Sequence, residues 1–192
     1  RNGGWASGLL PMDWAKVAAE SSREGALALQ RAANEAVDEV GKVAADEGID
    51  AHYAKGGYLR FARSPLHVER LQKVLAHARE WDQTDDDVRW LDRREARERL
   101  GADGVFGALY EPHCAAIHPA RLVRGLAAAV ERLGVTVHEG TTVTAIEPGV
   151  VRSDRGTVRA EVVVRSLEGY TSTLEGHQRA LLPIYSLMIA TE

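Results

Sequence analysis

The sequence predicts a mixed α/β fold, and three patterns along its 192 residues support that prediction. The first half contains long segments rich in Ala, Glu, Lys and Leu, whose apolar residues recur near helical spacing. The second half contains short segments of alternating apolar and polar residues, which Gly-containing turns separate. A helical pattern that opens at Pro119 runs directly into an apolar strand pattern, and this succession is typical of α/β proteins.

The first helical pattern runs from Asp13 to about Gly48 and predicts either one long helix or two abutting helices. Gly48 supplies the stop, because glycine readily adopts the left-handed conformation that ends helices. The next segment, His52–Ala62, alternates aromatic or aliphatic with polar residues around Gly56-Gly57. This alternation predicts a pair of strands or one strand with a tight turn.

The residues that open the next helix identify it. Ser64 is typical of an N-cap and Pro65 of the first helical position. An apolar face follows at Leu66, Leu71, Val74, Leu75 and Ala78. Beyond this helix, residues 88–91 predict a short strand, and a charged helix follows that ends at Gly101.

The second half begins with an extended, partly apolar segment before the helix that Pro119 opens. Residues 135–140 then predict a strand. The turns Glu147-Pro148-Gly149 and Asp154-Arg155-Gly156 divide three short β segments, which predict a meander with one solvated face. The run Val162-Val163-Val164 predicts a strand that is covered on both faces, as in a parallel sheet.

Composition and charge exclude several classes of function. The chain has 24 Lys and Arg against 28 Asp and Glu, so it lacks the basic excess that binds nucleic acid. No apolar run approaches the roughly 20 residues of a membrane span, and no signal-peptide pattern occurs. The single cysteine, Cys114, forms no internal disulfide, which suits the reducing cytoplasm. We therefore expect a cytoplasmic protein without a membrane span.

Two clusters of potential metal ligands favour structural interpretations. His113 and His118 flank Cys114, but residues five apart in an extended chain point to opposite faces, and no further ligand completes a tetrahedral set. We therefore predict no metal there and interpret Cys114 as a small buried hydrophobe, not a nucleophile or flavin anchor. The run Asp85-Asp86-Asp87 lacks the glycine and distal Glu of a calcium loop, and it indicates a solvated turn.

Five stretches, in this order, carry a resemblance to a known family. They are RNGGW (1–5), GGYLRFA (56–62), residues 111–149, GTVRAEVVVRSLEGYT (156–171) and LLPIYSLMIATE (181–192). Together they resemble the FAD-dependent amine and D-amino-acid oxidoreductase (DAO-like) family, nearest its γ-glutamylputrescine oxidoreductase-like branch. The resemblance covers nearly the whole chain. It implies a partial Rossmann-like FAD-binding domain together with part of a β-sheet substrate domain.

The resemblance also implies a chemistry, namely oxidation of a C–N bond of an amine or amino acid by hydride transfer to FAD. The partner would then be a small-molecule substrate. No G-x-G-x-x-G fingerprint opens a helix in this sequence, and no Met precedes Arg1. We therefore expect an internal fragment of such an enzyme that is inactive alone and binds FAD weakly or not at all. A non-catalytic α/β fragment or binding module without a cofactor stays open as an alternative.

The resemblance divides the chain into four segments. Residues 1–48 would form a flavin-facing loop and a long helical segment, and residues 49–112 part of the substrate domain. Residues 113–175 would supply the remainder of the FAD-binding domain. Residues 176–192 would begin the return to the substrate domain.

The resemblance also assigns candidate site residues. The first four residues, Arg1, Asn2, Gly3 and Gly4, would face the flavin, because the missing side chains let the backbone approach closely. An ordinary turn at a domain edge is the alternative for this glycine pair. Tyr58, in its Gly-Gly strand context, would line the substrate pocket.

Two further segments would contact the nucleotide part of the cofactor. Val143 would offer backbone hydrogen bonds to the adenine, and a plain core strand residue is the alternative. The segment 165–169, with Ser166 and Gly169, would approach the pyrophosphate. It is bulkier and more charged than the Ala-Thr-Gly type that the family leads us to expect, which weakens the assignment, although Arg165 could pair with phosphate.

Overall fold

The structure is a computed structural model of the chain, and it describes residues 3–182 and 184. Helices and small antiparallel sheets make up these residues, so the predicted mixed α/β class is confirmed. The chain forms two compact units, Arg1–Val130 and Glu131–Glu192. The division of the chain into four functional segments, 1–48, 49–112, 113–175 and 176–192, stays a prediction.

The first unit contains most of the helices and strands. Its helices are α1 (Trp14–Glu20), α2 (Arg23–Asp46), α3 (Pro65–Glu80), α4 (Arg93–Arg99) and α5 (Pro119–Arg132), the last of which ends just past the boundary. Its strands are β1 (Trp5–Ser7), β2 (Ala54–Lys55), β3 (Tyr58–Ala62), β4 (Arg89–Leu91), β5 (Gly107–Glu111) and β6 (Cys114–Ala116).

Serine and aspartate side chains determine where the helices begin. The long pattern forms two helices, because the Ser22 hydroxyl caps α2 by accepting a hydrogen bond from the Gly25 amide at 3.0 Å. The predicted cap of α3 is confirmed, since the Ser64 hydroxyl accepts from the His67 amide at 3.2 Å. In α4, Asp92 and Glu95 form a reciprocal capping box.

Two three-stranded antiparallel sheets lie in the first unit. One has the order β1-β6-β2 and the other the order β3-β5-β4. The segment His52–Ala62 therefore contains two strands, but β2 and β3 belong to different sheets and do not pair with each other. The predicted strand pair is wrong, because each strand finds a more distant partner: β6 for β2 and β5 for β3.

The sheet β3-β5-β4 carries the core, with a helix packed on each face. On one face Ala108 and Leu91 pack with Ala96 of α4. On the other face Leu109 packs with Ala78 of α3. This arrangement follows from the strand period, because the neighbours Ala108 and Leu109 point to opposite faces and both are fully buried.

The second unit contains the predicted meander. Its strands are β7 (Val143–Glu147), β8 (Val150–Ser153) and β9 (Gly156–Arg159), which pair antiparallel in this order, and a 3-10 helix follows at Glu168–Thr173. Both predicted turns lie between these strands, so the three β segments are confirmed.

Two other predicted strands of this unit are wrong. Residues 135–140 and 162–164 are not strands, and Val162 and Val164 are 74% and 81% exposed. A strand requires a hydrogen-bonded neighbour, and the described residues supply none to either segment. An apolar pattern alone therefore does not make a strand.

None of the helices in the described ranges is both long and apolar enough to cross a membrane.

Candidate functional site

The glycine pair at residues 3 and 4 leads into β1 at the edge of its sheet. Gly4 has φ +79°, and its carbonyl accepts a hydrogen bond from the Ile117 amide at 2.8 Å. A Cβ atom on Gly4 would lie 3.2 Å from the Ile117 carbonyl oxygen. The local backbone therefore requires glycine here even without a ligand. Arg1 and Asn2 lie outside the described residues, so the flavin-facing role of residues 1–4 stays a prediction.

The strand β1 holds this turn in place. Its three residues pair antiparallel with Cys114–Ala116 of β6, and the Gly8 amide that follows donates to the His113 carbonyl at 2.8 Å. The backbone on both sides of the strand is thus fixed by the sheet. A ligand that lies on the turn would meet a backbone that is already ordered.

Tyr58 begins β3 and stands beside two charged residues. In the strand register it lies directly opposite Glu111, whose carboxylate accepts a hydrogen bond from the Arg60 guanidinium. The Arg60 guanidinium carbon lies 5.9 Å from the centre of the Tyr58 ring. Burial above all, and then the negative charge of Glu111, raise the pKa of Tyr58 well above its usual value. The structure thus places the predicted substrate residue in a cluster of a phenol, a carboxylate and a guanidinium.

A cavity of about 180 Å³ lies within the first unit, between the loop that follows β1, the helices α2 and α3, and the end of the sheet. Arg60 and Glu111 belong to its wall, together with His113 and Asp87. Tyr58 is not among the residues that line it. The cavity therefore adjoins the Tyr58 cluster through Arg60 and Glu111.

Three pairs, each of an Arg or His side chain with a carboxylate, line this cavity. One is the hydrogen bond between Arg60 and Glu111, and Glu111 is largely buried, with 14% of its side chain exposed. In the second, His113 Nε2 lies 3.4 Å from an oxygen of Asp87. In the third, His77 Nε2 lies 3.0 Å from an oxygen of Asp13.

Some polar atoms of this wall are buried without a hydrogen-bond partner in the described structure. They are Nε of Arg60 and both ring nitrogens of His113. The 3.4 Å contact of His113 with Asp87 is an ion-pair distance but lacks hydrogen-bond geometry. Because an unpaired buried polar atom costs about 1 to 3 kcal/mol, this wall favours an additional polar partner.

A buried amide network also lines the cavity. Gln30 of α2 is 7% exposed and accepts a hydrogen bond from the Trp14 indole at 2.8 Å. Its amide nitrogen donates to the Gly8 carbonyl at 2.8 Å and to the Asn34 side chain at 2.9 Å. One side chain thus connects α1, α2 and the loop between β1 and α1.

The predicted nucleotide contacts lie in the second unit. Val143 begins β7 and pairs with Ser153, next to an irregularity of the ladder between residues 143 and 145. Ser166 lies just before the 3-10 helix at Glu168–Thr173. The Gly169 amide donates to the carboxylate of Glu168 at 2.5 Å, and Glu168 has φ +47°. The roles of Val143, Ser166 and Gly169 stay predictions.

Arg165 and the histidines around Cys114 have other neighbours. Arg165 Nη1 lies 3.3 Å from the His177 ring. His113 faces Asp87, whereas the His118 ring lies 5.7 Å from His52 in an edge-on contact. Cys114 is buried in β6, and burial raises the pKa of its thiol, which agrees with a packing role.

Sequence reasoning missed the cavity residues, for identifiable reasons. The run of three aspartates predicted a solvated turn, and all three residues lie in a turn. Asp85 and Asp86 are exposed, but Asp87 is half-buried, because its side chain faces His113. The pairing of Arg60 with Glu111 depends on strand register across 51 residues of sequence. One sequence pattern could have indicated the cavity. Gln30 and Asn34 lie four residues apart on the same face of α2, and amide side chains are seldom buried unless they form hydrogen bonds.

Comparison with known proteins gives the chain a family context. The model of the family described as FAD dependent oxidoreductase (DAO) matches residues 1–192. Gamma-glutamylputrescine oxidoreductase of Escherichia coli is 32% identical over 130 residues, which are 64% of this chain and 29% of that protein. Glycine oxidase of Geobacillus kaustophilus is 29% identical over 145 residues, which are 72% of this chain and 38% of that protein.

Solved structures show the same fold. The crystal structure of glycine oxidase from Geobacillus kaustophilus matches 83% of this chain and 42% of that chain, with a TM-score of 0.62 at 24% identity. L-proline dehydrogenase from P. horikoshii matches 75% of this chain and 40% of that chain, with a TM-score of 0.62 at 16% identity. The chain spans between 25% and 38% of the length of the curated relatives it matches.

Proposed function

We propose, because this chain belongs to the family of FAD dependent oxidoreductases, that its residues form part of an enzyme that oxidises a C–N bond of a small amine or amino acid with FAD as the hydride acceptor. The match of the family model to all 192 residues is the observation that carries this proposal. The names of two relatives specify glycine and gamma-glutamylputrescine, and both compounds contain an amino nitrogen. The resemblance stated from the sequence is therefore confirmed at the level of the family.

In this proposal the glycine turn is the part of the chain that faces the flavin. Bound FAD would supply the two-electron acceptor for the C–H bond beside the nitrogen, and the resulting imine would be hydrolysed by water. Gly3 and Gly4 present backbone without side chains, which fits close contact with a planar ring system. The hydrogen bond between Gly4 and Ile117 orders this backbone before any ligand arrives. The chain's own contribution is thus to position and shield the ring.

The residues proposed for the pyrophosphate fit that group less well. The carboxylate of Glu168 occupies the Gly169 amide, which a phosphate oxygen would need as a donor. Its negative charge also opposes a second anion at the same place. Since the sequence contains no G-x-G-x-x-G fingerprint either, we propose that these 192 residues bind FAD weakly or not at all.

A direct test of this last point titrates FAD into the purified 192-residue chain and records the flavin absorption spectrum. We expect no saturable spectral shift. Tight binding with a shifted flavin spectrum would contradict the proposal that this chain binds FAD weakly or not at all. A protein that contains this chain together with a G-x-G-x-x-G unit should instead purify with bound flavin, and amines or amino acids should bleach its absorbance without oxygen. A colourless longer protein that takes up no FAD would favour the non-catalytic alternative.

A matched pair of variants in that longer protein tests the glycine turn. Gly4→Ala and Gly149→Ala carry a similar backbone penalty, because the two glycines have φ +79° and +72°. Their added Cβ atoms would lie 3.2 Å and 3.3 Å from a carbonyl oxygen. We expect Gly4→Ala to shift the flavin spectrum and weaken FAD binding, and Gly149→Ala to leave both unchanged. Equal effects of the two variants would remove the turn from the flavin site.

A further inference from the structure

We propose that a groove of the first unit binds a small organic anion with an apolar body, on the face of the sheet β3-β5-β4 that lies opposite the Tyr58 cluster. The groove has a volume of about 340 Å³, and its lining includes Leu59, Phe61, Arg99, Leu100 and Tyr110. The inference rests on the charge, the shape and the position of this groove. It goes beyond the proposed oxidation and does not depend on it, because none of these residues belongs to the glycine turn.

Tyr110 forms the floor of the groove, and its surroundings hold it in place. In the strand register it lies between Leu59 of β3 and Arg89 of β4. Its hydroxyl donates a hydrogen bond to the Gly56 carbonyl at 3.2 Å. Gly57 has φ +73°, and a Cβ atom there would lie 2.5 Å from the Tyr110 ring, so glycine lets the ring lie against this turn. The floor is therefore ordered before any ligand arrives.

Two guanidinium groups lie against the Tyr110 ring. The guanidinium carbons of Arg99 and Arg89 are 4.1 Å and 5.4 Å from the centre of the ring. Neither arginine forms an ion pair with a carboxylate of the described residues. The N–H donors of a guanidinium lie in its own plane, so a contact with a ring face does not use them. Arg99 thus retains donors for a carboxylate, whose two oxygens fit this planar fork.

The carboxylates close to Arg99 in the sequence are engaged elsewhere. They lie in the capping box of α4 or in ion pairs with other arginines, and they are Asp92, Glu95, Glu98 and Asp103. The described lining of the groove contains no carboxylate, and Arg99 is its one Lys or Arg, which gives it a formal charge of +1. The chain as a whole has a net charge of −4. Attraction of an anion to this groove is therefore a local effect.

Apolar side chains of the groove determine the rest of the ligand. Leu59 and Phe61 pack on the same face of the sheet as Tyr110, and Leu100 follows α4 with 55% of its surface exposed. An engineered cavity of about 150 Å³ in another protein binds benzene, so this larger groove accepts one aromatic ring with a short chain, roughly ten to twelve non-hydrogen atoms. Contact with the exposed Leu100 favours a ligand with such an apolar body.

The period of the strands separates the groove from the Tyr58 cluster. Leu59 and Tyr110 pack towards α4, whereas their neighbours Arg60 and Glu111 line the cavity beside α3. Successive side chains of a strand point to opposite faces of the sheet. Tyr58 borders the groove as well, but its ring lies beside Arg60 and opposite Glu111. A molecule in the groove is therefore a second ligand and not the one that would be oxidised.

The experiment compares probes of nearly equal size and different charge, namely sodium 3-phenylpropanoate, 3-phenylpropylammonium chloride and 3-phenylpropan-1-ol. Inorganic phosphate is added as an anion without an apolar body. Each probe is titrated into the purified chain while NMR follows the Nε–H resonance of Arg99, which the variant Arg99→Gln assigns. We expect a saturable shift with phenylpropanoate alone. Equal or tighter binding of any other probe would overturn the proposal, and so would the absence of saturable binding by phenylpropanoate.

A matched pair of variants then locates the site by isothermal titration calorimetry. Arg99→Gln should weaken phenylpropanoate binding about tenfold, because it removes a charge-assisted hydrogen bond. Arg93→Gln is the control, since Arg93 is exposed at the start of the same helix and does not line the groove. An equal loss with this control would show a general charge effect and overturn the proposal. If Arg99→Gln does not fold, the comparison of the probes on the unchanged chain still decides the question.

Discussion

Replacing Gln30 with leucine should destabilise the first unit, although leucine has a similar size and suits a helix interior. The change removes three hydrogen bonds at 2.8, 2.8 and 2.9 Å from a side chain that is 7% exposed. It leaves the Trp14 indole N–H and the Gly8 carbonyl without this partner in a part-buried wall. Each such loss costs about 1 kcal/mol or more, and the greater apolarity of leucine offsets part of the sum. We expect a net loss of about 2 to 3 kcal/mol.

Urea unfolding followed by tryptophan fluorescence measures this loss. For a slope of about 1 to 3 kcal/mol per molar urea, the midpoint should fall by roughly 0.7 to 3 M. Gln72→Leu is the matched control, because Gln72 is exposed on α3, and exposed substitutions usually change stability by less than about 0.5 kcal/mol. If Gln30→Leu unfolds at the same urea concentration as this control, the buried network does not hold α1 and its loop in place.

Two further predictions concern tyrosines of the first unit. Gly41→Ala should lower the free energy of unfolding by about 1 to 2 kcal/mol, because the new Cβ would lie 2.5 Å from the Tyr53 ring, although alanine favours helices. Ala36→Gly within α2 measures the effect of helix propensity alone, and a higher urea midpoint for Gly41→Ala would contradict the predicted clash. Tyr58 should make the protein less stable at alkaline pH, because its pKa is raised in the folded state and the unfolded chain therefore loses the phenol proton first above about pH 10. The urea midpoint should fall less between about pH 9 and 11 in Tyr58→Phe than in the unchanged chain, and an equal fall in both would contradict the raised pKa.

Elements with local signals could be predicted from the sequence. The helix that begins at Pro65 follows from the Ser64 cap, because both residues act within one turn of the helix. The meander likewise follows from its two Gly-containing turns, which lie between strands only two residues apart. The predicted strands at 135–140 and 162–164 failed because strand formation depends on a partner elsewhere in the chain.

The sequence by itself therefore determined the class of fold, the family, and the helices together with the Ser64 cap of α3. Propensity, capping and motif order act within short stretches of residues. Only the tertiary structure decided the site. Tyr58 was recognisable as a candidate, but its raised pKa depends on Glu111, which strand register places opposite it. The cavity similarly depends on several elements, because Gln30, Asp87 and His113 line it from separate parts of the chain. Charge and burial at a point in space depend on every segment that packs there, and no single stretch of sequence contains that information.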